Sequence, residues 1–427
     1  MSIFEQVLLY IFIVTGLINT LHLGLYIGGA NLYDMWQFKR KAQMPKRSNR
    51  KLPEVTVVIP AYNEALVIER CLESVRQTKY PRLSVIVHND LSTDATAAIV
   101  RAYQKKYPKF GLRLVNRRRR AGKAGGVNYC IQNYAKSELI MTLDADCALH
   151  PNAIKNAVRY FNDPQVVGVA ANVRILDKNS VLGILQQFEH MIGYRSKKFF
   201  TMANCEFIVG GVASTYRRDI LKQVGYYGTD TQPEDIGLSM KVVALGNREN
   251  RIIYAADVVA MAEGAHSFGA LLKQRYRWKM GSMQNLLLHR GLIGNLNPVY
   301  SRALTLYRMP MALLSELILL LQPLVLFYIA YLSVVYNTVG FFLGAYLTLT
   351  LYVLATIWPD EHLATRTKFV KSAYAPLLYF AFYIMDTVQV IAILRVLFNP
   401  KQMTMRSGPA EAAWTPPSRI GQEVKFS

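Results

Sequence analysis

Two long apolar segments, one near each end of the chain, constrain the fold more than any other feature of the sequence. The first runs from Val7 to Gly29, and the second takes up most of Ala303 to Leu397. About 20 consecutive apolar residues are enough to cross the hydrocarbon core of a bilayer. Residues 54–264 between them have the mixed composition of a water-soluble domain. The sequence therefore predicts an N-terminal transmembrane anchor (residues 1–32), a soluble middle and C-terminal membrane helices (residues 301–398).

Basic residues that follow the first apolar segment set its orientation. They are Lys39, Arg40, Lys41, Lys46, Arg47, Arg50 and Lys51. A signal peptide would carry its charges before the apolar core and a small-residue cleavage site after it. Because Lys and Arg are enriched in cytosolic loops, we expect an uncleaved anchor with its C-terminal end in the cytosol. This predicts a multi-pass protein of the cell membrane whose middle domain is cytosolic.

The net charge of +22, from 50 basic and 28 acidic residues, bears on the partners of the chain. Nucleic acid, anionic lipid and an anionic substrate could each explain such an excess. No nucleic-acid recognition module accompanies the charge, and membrane proteins carry a positive-inside bias, so membrane lipid and an anionic substrate are favoured. The four cysteines lack metal-ligand spacing and are expected to be reduced in the cytosol: Cys71, Cys130, Cys147 and Cys205.

Short apolar runs alternate with helical periods in the middle of the chain. Strands are predicted at residues 55–60, 83–88, 113–116 and 138–143, and helices at 63–77, at 94–107 and in the segment that ends at Tyr134. The inward face of the first helix is predicted to carry Leu66, Cys71, Leu72 and Val75. The alternation predicts an α/β domain around a mostly parallel sheet, in which ligands lie at the carboxyl ends of the strands.

Acidic residues follow two of these strands. Asp144 and Asp146 come directly after the fourth strand, where a pair of carboxylates can hold Mg²⁺ or Mn²⁺ and so neutralise a diphosphate leaving group. A turn with two solvated aspartates is the competing interpretation, and it has about equal weight. Asp90 ends the second strand and can accept hydrogen bonds from a base or a ribose, whereas Asp94 is expected to cap the next helix.

Three further segments carry groups suited to an anionic substrate. The loop 117–128 combines Arg117 to Arg120, Lys123 and glycines before a helix, which is typical of a phosphate cradle but also of a solvated basic loop. Glu234 and Asp235 begin a helix, as a general base or as simple caps. The run QRYRW at 274–278 offers arginines for a diphosphate and a tryptophan for a sugar ring. Trp and Arg also anchor membrane-interface helices, and residues 265–300 are predicted to form such amphipathic helices.

Taken in order over residues 54–290, the segments VVIPAYNE, Asp90, GKA, LDAD, GGVASTYRR, PEDIGLS and QRYRW resemble the processive inverting glycosyltransferases of family 2. That family includes hyaluronan synthases, cellulose synthase and nodulation chitooligosaccharide synthases. The resemblance is strongest to the bacterial poly-β-1,6-N-acetylglucosamine synthases. The set is specific, because QRYRW matches the family's Q-R-x-R-W in full. The resemblance implies that residues 54–264 form a GT-A-like nucleotide-diphospho-sugar transferase domain.

The resemblance also implies a role for each matching residue. Asp235 would be the catalytic base, and Asp144 and Asp146 would hold the metal. The donor would be bound by Asp90, Lys123, Asp144, Asp146, Gln274, Arg275 and Arg277, and the acceptor by Gly210, Gly211, Glu234 and Trp278. The sequence departs from the family at Asn89, which precedes Asp90 where the family has a second acid, and at Pro233, which replaces a threonine. These departures affect the nucleoside contact but leave Asp235 in place.

The implied function is processive transfer of N-acetylglucosamine from UDP-N-acetylglucosamine to a growing β-linked polysaccharide, with inversion and with secretion through the membrane. Accessory export subunits would be possible partners. Glu316, Gln322, Asp386 and Gln389 lie in the apolar spans, where they would line a polar path or form hydrogen-bonded pairs.

Several alternatives stay open. A hyaluronan, chitin or glucan synthase, and single-sugar transfer to a polyprenyl phosphate, remain candidate functions, although enzymes of the last kind generally lack Q-R-x-R-W. A non-enzymatic lipid-binding protein would not need Asp144, Asp146 and Asp235 together. The side of the membrane that holds the tail (residues 399–427) is also open. Three C-terminal spans place it outside, whereas its basic residues favour the inside.

Overall fold

The computed structural model describes residues 3–43, 52–176, 180–229, 231, 233–335, 339–399, 401, 419–422 and 424. Several of the basic residues named above lie outside the described residues: Lys46, Arg47, Arg50 and Lys51. The helices are α1 Ile3–Gln43, α2 Ile68–Arg76, α3 Thr96–Lys106, α4 Gly122–Asn133, α5 Ala153–Tyr160, α6 Val181–Met202, α7 Arg218–Gln223, α8 Glu234–Ala244, α9 Phe268–Leu288, α10 Met309–Val335, α11 Gly340–Ile357 and α12 Thr365–Leu397. The strands are β1 Val55–Ala61, β2 Leu83–Asn89, β3 Leu112–Asn116, β4 Leu139–Thr142, β5 Ala148–Leu149, β6 Val166–Ile175, β7 Ser214–Arg217 and β8 Arg251–Ala262.

The strands of the described residues form one eight-stranded sheet in the order β3-β2-β1-β4-β7-β6-β8-β5. Its first half is parallel, as the alternation of strands and helices predicted: β1 pairs with β2 and β4, and β2 pairs with β3. In the second half β7 is antiparallel to both of its neighbours, and β5 is antiparallel to β8, whereas β6 and β8 are parallel. The domain therefore has a mixed sheet. Periodicity shows that a segment is a strand but gives no information on its direction.

The apolar character of β1 follows from its position in the middle of the parallel half. Val55, Val57, Val58 and Ile59 are all fully buried, because helices cover both faces of the sheet there. The carboxyl ends of β1, β2 and β4 therefore lie side by side at one edge, and the loops that follow them meet there.

The start of α2 differs from the prediction. Residues 63–67 form a turn, in which Asn63 has a φ of 53° and the carbonyl of Glu64 accepts the amides of Val67 and Ile68. Leu66 is 73% exposed and does not belong to the inward face, whereas the other residues of that face, Cys71, Leu72 and Val75, are fully buried. The prediction for Leu66 was wrong because a left-handed residue interrupts the helical period ahead of it.

The N-terminal helix is longer than the predicted anchor. Its 41 residues correspond to about 62 Å at 1.5 Å per residue, twice the thickness of a hydrocarbon core. The C-terminal part of α1 packs on the α/β domain: the Tyr33 hydroxyl donates to the carbonyl of Tyr254 at 3.0 Å, and Gln37 Nε2 donates to the Tyr160 hydroxyl at 3.1 Å. Arg40 Nη2 donates to the carbonyl of Tyr160 at 3.1 Å.

Three helices of the described chain are long and apolar enough to cross a membrane, and they cover Glu5–Arg40, Ala303–Val335 and Thr365–Leu397. The helix α11 is apolar but shorter. The N-terminal end of α1 lies beside the C-terminal end of α10, since the Tyr331 hydroxyl donates to Glu5 Oε1 at 3.0 Å. The turn between α11 and α12 returns to the α/β domain, where Asp360 pairs with Arg174 at 2.7 Å.

The helix predicted at the membrane interface is α9, which begins after a Ser267 cap whose Oγ accepts the amide of Ala270. It lies between the α/β domain and the membrane helices. Leu271 is fully buried in a cluster with Leu185 and Phe188 of α6 and Leu378 of α12. The run QRYRW is therefore held between the sheet domain and the last membrane helix.

Candidate active site

The two aspartates after β4 lie at the carboxyl edge of the sheet, and each has a cationic partner from another part of the chain. Asp144 Oδ1 is 2.6 Å from Lys123 Nζ, and Asp146 Oδ2 is 2.6 Å from Arg419 Nη1. Asp146 is only 8% exposed. Burial raises the pKa of its carboxyl group above the ordinary value, against the opposing effect of Arg419, and the charge of Asp144 raises it further. These are not two solvated turn residues, because both carboxylates are tied into a network.

The same network fits a hard divalent cation. Carboxylate oxygens at a strand end are suitable ligands, and Mg²⁺ commonly takes one or two protein carboxylates and completes its shell with water and phosphate oxygens. Within the described residues no group of three or more His, Cys, Asp and Glu side chains is placed to hold a metal alone. A cation at Asp144 and Asp146 would therefore complete its coordination with water or with the oxygens of a phosphate-bearing ligand.

Lys123 joins the aspartates to the helix α8. It is the second residue of α4, and its Nζ lies 2.6 Å from Asp144 Oδ1 and 3.2 Å from Glu234 Oε1. Burial by itself would lower the pKa of Lys123, but the carboxylates of Asp144, Glu234 and Asp235 raise it well above the ordinary value. The ammonium group therefore stays charged and links the two acidic parts of the site.

Asp235 lies in the first turn of α8 and is buried beside this lysine. Burial and then the charge of Glu234 raise its pKa to about 6, and Lys123 offsets part of the rise. The N-cap residue of α8 is Pro233, without a side-chain capping bond, and among the described residues Asp235 Oδ1 accepts the amide of Ile236, at 2.8 Å. Helix capping thus does not account for Asp235. A carboxylate with a pKa near neutrality is well suited to general base catalysis.

The segment 207–211 forms the wall opposite Asp235. A Cβ atom on Gly211 would lie 2.8 Å from Lys123 Nζ and 3.3 Å from Asp235 Oδ2, so a side chain at this position would displace the Lys123 ammonium group. A Cβ atom on Gly210 would meet nothing within 4 Å. Gly211 therefore lies with Lys123 and Asp235, as predicted for neighbours in one site.

Two polar residues that the sequence analysis did not identify hold this wall in place. Glu206 is 2% exposed, and its Oε1 accepts the amides of Phe207 and Ile208 at 3.0 and 2.9 Å. Ser239 Oγ accepts the amide of Val209 at 2.9 Å and donates to the carbonyl of Asp235 at 2.7 Å. Ser239 is the last residue of the motif PEDIGLS, and this was the sequence feature that could have identified it. Glu206 lies in none of the quoted motifs.

Asp90 fixes the basic loop rather than pointing into open space. Its Oδ1 accepts the amide of Ala121 at 2.7 Å, and its Oδ2 accepts the amide of Gly122 at 3.2 Å. The guanidinium of Arg120 lies 3.7 Å from the centre of the Tyr62 ring. The loop thus has a defined shape at the end of β2, and a nucleoside contact for Asp90 stays a prediction. The predicted cap, Asp94, lies one residue before the N-cap Ala95 and accepts the amide of Thr96, the first residue of α3, at 3.0 Å.

The run QRYRW forms a cluster of its own on α9. Arg275 is 2% exposed, forms an ion pair with Glu189 of α6, and donates from Nη1 to Gln274 Oε1 at 2.9 Å. Its guanidinium lies 4.2 Å from the centre of the Trp278 ring. The structure thus brings Gln274, Arg275 and Trp278 together. Arg275 is paired with Glu189, and a contact with the donor stays a prediction for this residue and for Arg277.

The helix α9 is also joined to α8 and to α10. Asn285 Nδ2 donates to Thr231 Oγ1 at 3.5 Å, and a Cβ on Gly237 would lie 3.2 Å from Asn285 Oδ1, which shows how closely the helices pack. One residue after Trp278, Lys279 Nζ pairs with Glu316 Oε2 at 2.6 Å. Glu316 therefore has an ionic partner at the junction of the α/β domain and the membrane helices.

A second charged cluster lies beside Asp146 and includes residues far apart in sequence. Arg419 is bidentate to Glu64, at 3.0 Å from Nε to Oε2 and 2.8 Å from Nη2 to Oε1. Arg70 pairs with Glu263 at 3.0 Å and donates to the carbonyl of Asp146 at 2.6 Å. Burial raises the pKa of Glu64 to about 7 in spite of Arg419. No sequence pattern indicated this cluster, and of its four residues only Glu64 lies in one of the motifs quoted above, VVIPAYNE.

The sequence of this chain is similar to those of known glycosyltransferases. A sequence model described as glycosyltransferase-like family 2 matches residues 53–281, which is more than half of the chain. The chain is 26% identical over 391 residues to a poly-β-1,6-N-acetyl-D-glucosamine synthase of Staphylococcus epidermidis, covering 89% of this chain and 90% of that protein. It is 32% identical over 240 residues to the Staphylococcus aureus synthase of the same name, covering 56% of each chain.

A solved structure has the same architecture. It is the mannosyltransferase PcManGT from Pyrobaculum calidifontis in complex with GDP-Man and Mn²⁺, which aligns with a TM-score of 0.59 at 21% identity. The alignment covers 91% of this chain and 99% of that chain. At this level of identity the likeness establishes the GT-A-like fold.

Proposed function

Because this chain belongs to glycosyltransferase-like family 2, we propose that it transfers N-acetylglucosamine from UDP-N-acetylglucosamine to the growing end of a β-linked polysaccharide. The chain is a glycosyltransferase, and the similarity to poly-β-1,6-N-acetyl-D-glucosamine synthases over 89% of its length favours this sugar and an extracellular polymer. In the proposal, synthesis is processive, the anomeric configuration is inverted, and the polymer is secreted through the membrane as it grows.

The observation that carries the proposal is the position of Asp235. It is a buried carboxylate whose pKa is about 6, it faces Gly211 across a narrow gap, and Lys123 links it to the aspartates after β4. A direct displacement at an anomeric carbon needs a base for the attacking hydroxyl on one side and stabilisation of the leaving diphosphate on the other. In the proposal Asp235 is the base, and Lys123 together with a cation held by Asp144 and Asp146 would stabilise the diphosphate.

The proposed reaction is one displacement. Asp235 accepts the proton of the acceptor hydroxyl as its oxygen forms a bond to the anomeric carbon of the donor sugar. The bond from that carbon to the diphosphate oxygen breaks, and the electron pair leaves with the nucleoside diphosphate. Because attack and departure take place on opposite faces, an α-linked donor gives a β-linked product and no covalent enzyme intermediate is needed.

Other side chains bind and orient the two substrates in the proposal. Asp144 and Asp146 would hold Mg²⁺ or Mn²⁺, which when bound supplies positive charge to the diphosphate oxygens. Lys123 adds a fixed positive charge on the same side. Gly210, Gly211 and Glu234 would border the acceptor sugar. Trp278 would stack on the next sugar ring of the polymer, behind the acceptor sugar. Gln274, Arg275 and Arg277 keep their predicted role on the donor side.

The position of α9 suits the export part of the proposal. The helix lies between the α/β domain and α12, and its Lys279 reaches Glu316 of α10. Charged residues within membrane helices commonly face a polar path, so a polymer leaving Trp278 would meet this junction first. In the proposal membrane lipid surrounds these helices, and accessory export subunits are a further class of partner.

The function can be tested with membranes that contain the full chain. They are incubated with radiolabelled UDP-N-acetylglucosamine, UDP-glucose and UDP-glucuronate, separately and mixed, and the products are sized and digested with linkage-specific glycosidases. The proposal expects a long polymer from UDP-N-acetylglucosamine alone that a β-1,6-N-acetylglucosaminidase degrades. A polymer that needs UDP-glucuronate, a glucan, or a short product extracted into organic solvent would refute it; the last would indicate transfer to a polyprenyl-phosphate carrier.

A further inference from the structure

Residues 419–422, part of the C-terminal tail, lie in the cleft beside Asp146. The described residues Arg419, Ile420, Gly421 and Gln422 follow the membrane helices in sequence, yet they contact the turn before α2, the end of β8 and the loop after β4. This part of the tail therefore lies on the same side of the membrane as the α/β domain. The basic residues of the tail predicted this cytosolic side, whereas a count of three C-terminal spans predicted the opposite side.

The backbone of residues 420–422 is hydrogen-bonded to the domain, in addition to the contacts of the Arg419 side chain. The carboxylate of Glu263, whose side chain is fully buried, accepts three successive amides, from Ile420 to Oε2 at 3.2 Å and from Gly421 and Gln422 to Oε1 at 3.1 and 3.2 Å. Arg70 pairs with Glu263 and also donates to the carbonyl of Gln422. Gly421 has a φ of +69°, a left-handed conformation that favours glycine.

The guanidinium of Arg419 takes the place that a metal ion at Asp146 would need. Its side chain is 9% exposed, it is bidentate to Glu64, and its Nη1 lies 2.6 Å from Asp146 Oδ2. Asp146 Oδ1 faces Cys147 Sγ at 3.2 Å. A divalent ion must come within about 2.1 Å of a carboxylate oxygen and is repelled by a neighbouring cation. The Arg419 guanidinium and a divalent ion therefore cannot bind Asp146 Oδ2 at the same time.

From these contacts we propose that the segment Arg419–Gln422 is an intramolecular inhibitor, which occupies the cleft and competes with the divalent cation for Asp146. The inference adds regulation to the proposed function and rests on it for the assignment of Asp146 as a metal ligand. When the tail is docked, the cation site is closed by a positive charge of the protein itself. When the tail leaves, Asp146 and Glu64 lose that charge and attract a cation. Because binding coupling is reciprocal, the cation must weaken docking of the tail as much as the tail weakens binding of the cation.

The test is a Mn²⁺ titration of the detergent-solubilised full chain without a donor, followed by the loss of the free-ion electron paramagnetic resonance signal. Arg419→Ala should bind Mn²⁺ about tenfold more tightly than the wild type, equivalent to about 1.4 kcal/mol. Gly421→Ala keeps the arginine but places a side chain at a positive φ, so it should loosen the tail and shift the Mn²⁺ affinity in the same direction. The matched control is Arg76→Ala, which removes a surface arginine that pairs with Glu73 on α2 and should leave the affinity unchanged.

A second measurement follows the tail itself. The four native cysteines are buried, so a fluorophore on Val424→Cys reports the tail selectively, and its anisotropy should fall when Mg²⁺ is added. If Arg419→Ala does not fold, Gly421→Ala and this labelled variant carry the test. Unchanged or weaker Mn²⁺ binding in both tail variants, or anisotropy that ignores Mg²⁺, overturns the inference. If Mn²⁺ binding survives Asp146→Asn in all variants, the assignment of the metal site fails instead, and with it this inference.

Discussion

Asp235→Asn should give a protein that is inactive and more stable than the wild type. The carboxylate is the proposed base, and a general base commonly contributes 10²- to 10⁴-fold to the rate. Asparagine has nearly the same shape, and its carbonyl can still accept the amide of Ile236, so the first turn of α8 should be preserved. We expect sugar transfer to fall at least about 100-fold with little change in donor binding.

The gain in stability follows from the pKa of Asp235. It rises from 3.8 to about 6 on folding, and at 1.36 kcal/mol per pKa unit this corresponds to about 3 kcal/mol. Because the folded-state pKa is the higher one, the charged carboxylate costs stability at every pH above about 6. The cost shrinks to about half at pH 5 and vanishes below 3.8, where the carboxyl group is protonated in both states. Asparagine never carries the charge and so avoids the cost.

The assay combines transfer rates with thermal unfolding of the solubilised chain at pH 7.5 and at pH 5. Asp235→Asn should unfold several degrees higher than the wild type at pH 7.5, with a smaller difference at pH 5. Asp219→Asn is the matched control, because Asp219 accepts the amide of Ile220 at 2.8 Å in the first turn of α7 but is exposed. It should change neither rate nor stability. Full activity of Asp235→Asn, or a loss of stability at pH 7.5, would refute the reasoning.

Three further predictions test other parts of the site. The wild-type rate should fall about tenfold per pH unit below about pH 6, where Asp235 becomes protonated. Because Lys123 lowers the pKa of Asp235, Lys123→Met should shift this acidic limb of the pH–rate profile to higher pH. An acidic limb that does not shift in initial-rate measurements contradicts the assignment. Gly211→Ala should reduce the transfer rate about 10- to 100-fold, since its Cβ would lie 2.8 Å from Lys123 Nζ. The control Gly193→Ala should have no effect on the rate, because Gly193 is exposed on α6 and has open space around it. Chelation of divalent metal should stop transfer and added Mn²⁺ or Mg²⁺ should restore it; turnover that persists in the chelator would remove the metal role of Asp144 and Asp146.

The parts of the fold that the sequence predicted are those set by local pattern. The strands β1 to β4 lie within two residues of their predicted positions, since each is a short apolar run ended by a polar or small residue. Asp144, Lys123, Glu234 and Asp235 were each proposed separately, and the structure brings them together because α4 and α8 both begin at the edge where β4 ends. The closeness of Gly211 to this group was implied only by the resemblance.

Features that depend on contacts between distant segments were not predictable in the same way. The antiparallel direction of β7 depends on how the chain returns after α6, and no periodicity records that path. The pairing of Arg275 with Glu189 joins two residues that are 86 positions apart in the sequence, on different helices. The cluster of Glu64, Arg70, Glu263 and Arg419 draws on both ends of the chain, and a lone arginine in a polar tail gives no sign of its partner.

The continuous helix α1 has a consequence for how activities of this protein should be measured. The same helix contains an apolar segment long enough to cross a membrane and ends against β8 and α5 of the catalytic domain, with Tyr33, Gln37 and Arg40 as its contacts. We therefore expect a change in the tilt of the apolar part of α1 to change the orientation of the domain. A hydrophobic segment adjusts its tilt to the thickness of the bilayer. Lipid chain length is therefore an experimental variable of the enzyme, and rates of variants are comparable only in bilayers or micelles of matched thickness.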